Sequence, residues 1–433
     1  MQDEATVTPA EDLPRLLVVS DPNAERTGGG ALVLYRLLRT YPADRLMIVS
    51  QPTANWSGPR DRIPGVTYHD ITYRIPHLIF NRFNPCWAAV MAPFIKLRTP
   101  EVLRLSRAFR PQAVLSIADQ YLWFVADTVA RWLKIPSHLI IHDDWPVQQT
   151  GSAPPWARPY ALRACVLTQE RVFRRAAGLY AVSPGMAEQY EKECGVRCDV
   201  VYPSRGEDSP VPKVRLQRGP ADRLTVAYAG MIHQHWAKLA LAAVAKQLAE
   251  MGGQLDLYVP YSAERLSEWG ISGPNVRHVG FFPAHEMAEQ VGRTAHALLL
   301  PASFEPEERR DASTLFPSKL ADYTGIGLPV VVWGPEYSSA ARWARENPEA
   351  AVLVMTPEAK GLAAPLTRLR DDPAHARKLA EGAISAGLRY FDPSSVRSKF
   401  FSALRERSGF KSLPLTQQGS SSSTAEDGER GAT

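Results

Sequence analysis

Pro317-Ser318-Lys319 is the stretch of this chain in which residue type and spacing say most about chemistry. Proline fixes φ and lacks an N–H, so Pro317 suits the start of a helix, expected over residues 318–324. A helix start carries unpaired backbone N–H groups and a partial positive charge. Ser318 adds a hydroxyl and Lys319 a full positive charge there, with Thr314 just upstream. A loop, a helix N-terminus and a lysine together make a phosphate site.

His142-Asp143-Asp144-Trp145 closes an apolar run expected to form a strand over residues 138–142. An imidazole at a strand end can hydrogen-bond a ligand and stabilise developing positive charge; Asp143 or Asp144 can orient it or receive a proton. The same acids, placed before Trp-Pro, can equally cap a turn or helix. Gly28-Gly29-Gly30 lets backbone N–H groups approach an anion, or simply makes a tight turn. It lacks the last glycine of the dinucleotide fingerprint, which removes support for hydride transfer. No Ser-His-Asp arrangement is recognisable, and Asp143-Asp144 has no third metal ligand at a recognisable spacing.

These groups need a scaffold. Strand, glycine turn and helix over residues 16–39 open a nucleotide-binding α/β pattern. Further strands are expected at 46–50, 113–117, 138–142 and 179–182, with helices at 121–133 and 186–194. Residues 205–222, rich in Pro, Gly and charge, read as a linker. A second series follows, with strands at 225–229, 254–259, 276–279, 297–300 and 330–333. The pattern predicts two Rossmann-like domains, residues 1–204 and 223–391, facing each other across a cleft. A last helix is expected within 392–410 and a disordered tail over 411–433.

Bulk properties agree. At 433 residues, 45% hydrophobic and 22% charged, the chain is globular and too long for one core. Its net charge of +5 suits an anionic ligand or surface but is too weak to argue for nucleic acid. Four cysteines make no disulfide framework. The polar N-terminus has no signal-peptide core, and no run approaches the roughly 20 apolar residues of a membrane span. A cytoplasmic protein is expected. Residues 71–100 hold no acid and mix Arg74, Arg82, Lys96 and Arg98 with Tyr73, Phe80, Phe83, Trp87 and Phe94. That composition suits peripheral contact with the inner face of a membrane, or core packing with snorkelling cations.

From Pro317 to Pro329 the chain resembles the donor-binding segment of GT-B glycosyltransferases, in particular the retaining, group-1 (GT4-like) set, with its P-S-K-L-x-[DE]-Y-x-x-x-G-x-P run. The order of other segments agrees from about residue 14 to residue 405. The resemblance implies a C-terminal helix crossing back to the first domain. It places His142 beside the donor sugar's reacting carbon and the Gly28-Gly29-Gly30 turn over the donor diphosphate or the acceptor. Relatives carry two spaced glutamates for the donor's sugar hydroxyls and ribose; those positions here hold Asp311 and Lys319. Asp311 can still accept hydroxyls, whereas Lys319 suits phosphate, leaving Asp322 as a stand-in for the ribose contact. Glu305, Glu307 and Glu308 compete with Asp311 for the first role. After Gly230, Met231 stands where many relatives have arginine; His233, His235 and Lys238 are the nearby cations. Phe281 and Phe282 match the turn that contacts the base, and Ser183 reads as a helix cap.

The expected function is transfer of a sugar from a nucleotide diphosphate donor to a hydroxyl of a glycan or lipid-linked acceptor, as in surface polysaccharide or glycoconjugate synthesis. No cofactor or metal is expected. The departures at Met231 and Lys319 keep open a non-catalytic glycan-binding or scaffold protein; a sugar-nucleotide epimerase of the same fold is a further alternative.

Overall fold

The computed structural model describes residues 13–27, 29–52, 61–73, 87–151, 153–232, 234–282 and 284–410. Gly28, His233, most of the 71–86 stretch and the expected tail 411–433 lie outside these residues.

Two parallel sheets organise the chain. The first contains β1 (Leu16–Ser20), β2 (Leu46–Ser50), β3 (Thr67–Asp70), β4 (Ala113–Ile117), β5 (Ser137–Ile141), β6 (Gly178–Ala181) and β7 (Cys198–Val200). Their order is β3-β2-β1-β4-β5-β6-β7. The second contains β8 (Thr225–Ala229), β9 (Gln254–Tyr258), β10 (Val276–His278), β11 (Ala297–Pro301), β12 (Val330–Trp333) and β13 (Ala351–Val354), ordered β10-β9-β8-β11-β12-β13. Central strands such as β1 and β4 are buried along their whole length, because helices cover both faces. Hence they read as continuous apolar runs. In each sheet the order reverses beside the first strand, opening a crevice at the strands' carboxyl ends.

β1 shows how one strand serves two layers. Leu17 and Val19 face a core with Trp123, Leu139 and Phe173, while Leu16 and Val18 face Phe400 and Leu404 of the helix Pro393–Arg407. The last helix therefore returns to the first sheet, as the resemblance implied. Asp392 caps its start by accepting from the Ser394 and Ser395 N–H groups at 3.1 Å each. Phe400 is fully buried, so Phe400→Ala removes about 3 kcal/mol of packing and transfer energy.

The sequence pattern did not predict β3, β7, β13 or the helix Arg309–Thr314. The three strands are short sheet edges; β3, Thr-Tyr-His-Asp, is half-exposed and offers no apolar run. Residues 309–314 form a helical turn packed between the helix Pro184–Cys194 of the first sheet and the helix Ser339–Glu346 of the second. Cys194 and Cys198 are buried thiols.

Candidate active site

The amino end of the helix Ser318–Ile326 has no side-chain cap. Its Pro317, Ser318 and Lys319 line a cavity of about 280 Å³ between the lobes. His142 and Asp143, at the end of β5, line it from the first lobe; Asp311, Glu308, Tyr228 and Met231 line it from the second. Segments distant in sequence thus converge because both sheets point their carboxyl ends at this crevice.

Charge is divided across the cavity. Burial holds the Lys319 ammonium down at about 8. Its Nζ lies 5.4 Å from the centre of the Tyr228 ring, and among the described residues no carboxylate pairs with it. The Lys319 chain crosses Gly230, where a Cβ would sit 2.7 Å from Cε and φ is +108°. Only glycine admits the lysine there. The other wall is acidic. Burial, with Asp144, Glu308 and Asp143 nearby, pushes the Asp311 carboxyl up to about 6. His142 Nδ1 lies 3.5 Å from Asp143. Burial opposes charge on His142, but Asp143 and Asp119 outweigh it and raise its pKa. Burial likewise opposes the Asp143 charge, and His142 outweighs it in the opposite direction. This pair favours an imidazolium beside a carboxylate.

Other expected residues lie elsewhere. Lys238 puts its ammonium 4.2 Å over the Trp269 ring and does not line the cavity. Asp322 faces Arg36 at 3.7 Å, outside the cavity lining, so the stand-in for the ribose contact is not placed there. The Thr314 hydroxyl is buried and donates to the Arg310 carbonyl at 2.9 Å. Gly29 and Gly30 begin the helix Gly29–Leu38 away from the cavity; a Cβ on Gly30 would meet Pro22 at 3.1 Å. Phe281 is exposed, and Phe282 packs 6.1 Å from Tyr258. Asp144 fills the capping role: it accepts from the Val147 N–H at the start of the helix Trp145–Thr150. Ser183 also caps, accepting from Met186 at 3.0 Å.

Two features escaped the sequence reading. Arg310, on the short helix Arg309–Thr314, reaches the opposite lobe and binds Asp144 and both oxygens of Glu193, the latter at 2.6 and 3.1 Å. Beside this clasp, a Cβ on Gly185 would lie 2.2 Å from the Ser313 carbonyl oxygen, so the lobes touch through a glycine. The second is Asp21, directly after β1. It accepts from the Tyr121 and Leu122 N–H groups at 2.9 and 2.6 Å and from the Tyr73 hydroxyl. Burial pushes its carboxyl up to about 7. It ties β1 to the helix after β4 at the crossover point.

The sequence matches no protein-family model and no curated protein. Solved structures do match. The Anabaena protein HepE, solved with UDP and glucose, superposes with a TM-score of 0.61 at 15% identity, covering 90% of this chain and 99% of its own. Sucrose-phosphate synthase from Thermosynechococcus elongatus gives 0.60 at 16% identity, covering 90% and 98%. The lipopolysaccharide outer core galactosyltransferase WaaB gives 0.59 at 15% identity, covering 90% and 99%. The chain has the GT-B fold of these glycosyltransferases over nearly its whole length.

Proposed function

We propose that the chain is a glycosyltransferase moving a sugar from a nucleotide diphosphate donor to a hydroxyl acceptor. One observation carries the reading: a half-buried Lys319 at an uncapped helix start, with no carboxylate partner among the described residues, in one cavity with Asp311, Glu308 and Asp143. A partly desolvated cation without a carboxylate partner is disfavoured and calls for an anion. A diphosphate meets both Lys319 and the helix end, and a sugar's hydroxyls meet Asp311 and Asp143. HepE has been solved with UDP-glucose, which makes uridine donors the first to try.

Transfer breaks the bond between the anomeric carbon and the diphosphate oxygen and forms a bond to the acceptor oxygen. Charge gathers on the diphosphate, where Lys319 and the helix N–H groups stabilise it. Positive charge grows on the ring beside the His142–Asp143 pair. The acceptor proton passes to the leaving diphosphate or to a cleft carboxylate, with Asp311 or Asp143 nearest. The clasp at Arg310 holds the lobes together and keeps water from competing. Residues 1–204 form the acceptor side and 223–391 the donor side in this scheme, joined by the 205–222 linker.

Lys238 over Trp269 and Met231 in the cavity wall leave Lys319 as the cavity's lysine, which favours the non-catalytic glycan-binding reading as the second choice. Calorimetry with UDP-, GDP- and ADP-sugars separates the two. Heat with one nucleotide class, followed by donor turnover, supports the enzyme. Silence with all three rejects it.

A further inference from the structure

The helical layer covering the first sheet opposite the helix Pro393–Arg407 has an unusual outer surface. The helices Trp87–Ile95, Thr99–Ser106, Leu122–Leu133 and Arg158–Phe173 bury Met91, Val102, Trp123 and Phe173 in one core. Outward, the same layer exposes Phe94, Leu97, Trp132, Trp156, Tyr160 and Leu167, with Trp132 and Trp156 at 73% and 74%. No large exposed hydrophobic residue lies on the helices Gly29–Leu38 or Pro393–Arg407 of the opposite layer. Tyr160, Arg163, Leu167 and Arg171 recur at three- and four-residue spacing, so they form one solvent-facing stripe.

The layer's charge is one-sided. Its acids are already engaged: Asp127 with Arg131 and Arg175 at 3.4 and 2.9 Å, Glu170 with Arg174 at 2.5 Å, Glu101 with Arg98 at 3.2 Å. Among the described residues Arg104, Arg107, Arg158, Arg163 and Arg171 have no carboxylate partner. Unpaired arginines interleaved with bare indole, phenol and leucine surface match a partner that is anionic outside and apolar beneath. Among the described residues no helix is long and apolar enough to cross a membrane.

From this complementarity we infer that the layer docks on the surface of an anionic lipid bilayer, centred on the stripe of the helix Arg158–Phe173. Trp156, Tyr160 and Trp132 enter the headgroup level while the arginines meet lipid phosphates.

Vesicle flotation of the full chain tests this without any donor, so its failure is separate from failure of the transferase reading. Vesicles of equal parts phosphatidylglycerol and phosphatidylcholine should carry the protein up; phosphatidylcholine alone should not, and high salt should release it. Arg163→Glu with Arg171→Glu should lower the partition coefficient at least about tenfold. Trp156→Ser with Tyr160→Ser should lower it about tenfold with an unchanged melting midpoint, since both side chains are exposed. Should either pair fail to fold, Trp132→Ser alone takes its place, with a loss of about threefold. Three results would overturn the docking surface: no binding to either vesicle, equal binding to both, or folded variants that float like the wild type. Retention on soluble polyphosphate that ignores the aromatic substitutions would replace it with a polyanion site.

Discussion

Arg310 and Lys319 sit on consecutive helices of the second lobe and both point at the cleft, yet their surroundings differ completely. Arg310 is held by two carboxylates of the opposite lobe, Asp144 and Glu193. Lys319 has no carboxylate partner among the described residues; the Tyr228 ring and the helix end lie beside it, and burial drags its pKa down to about 8. One cation is already satisfied by the protein; the other is left for a ligand. Arrangements that stabilise a fold and arrangements that bind a substrate are told apart by this kind of accounting, since a site tuned for an anion is strained without it.

The two cations should therefore respond to removal with opposite signs. Arg310→Met leaves Asp144 buried and uncompensated, and should cost about 3 kcal/mol, seen as a lower melting midpoint. An unchanged midpoint would show that the clasp contributes no stability. Next in size, Lys319→Met should cut donor affinity by about a hundredfold while raising the midpoint at neutral pH. That gain has a defined pH dependence. The folded pKa lies below the unfolded value of 10.5, so the unfolded chain binds more protons between about 8 and 10.5. Wild-type stability then rises across that window relative to Lys319→Met, and the gap between the two midpoints should close. A gap that stays constant in a pH series would mean that Lys319 is not desolvated.

Gly185→Ala should have a smaller effect, because its Cβ would collide with the Ser313 carbonyl and push the lobes apart. Small-angle scattering should show a larger radius of gyration and assays a weaker closure-dependent activity; unchanged scattering would mean that the contact relaxes locally. Smallest of all, Asp322→Asn should leave donor affinity within about twofold, since Asp322 faces Arg36 rather than the cavity. A large loss there would restore its role at the ribose.

The sequence made the local features readable. Pro317 announced a helix start, continuous apolar runs announced the buried strands, and the end of β5 was placed to within a residue, which put His142 at the cleft. What it could not show were partnerships between distant segments. Arg310, Asp144 and Glu193 share no spacing rule, and only the folded lobes bring them together. Lys238 is a related case: a lysine near a phosphate-type turn looks available until Trp269 is seen beneath it. Asp21 directly follows the apolar run of β1, and its partners Tyr73, Tyr121 and Leu122 come from later elements, so its role is not local. Edge strands β3 and β7 carry too little apolar pattern to stand out.

The most direct measurement is donor affinity against pH for the wild type and Lys319→Arg, using the nucleotide sugar that calorimetry selects. Its diphosphate keeps a constant charge from about pH 7 to about pH 9, so any change belongs to the protein. Wild-type affinity should fall up to about tenfold across that range as Lys319 loses its proton, while the arginine variant stays flat. A wild-type profile as flat as that of the variant would contradict the assignment of Lys319 to the donor phosphates.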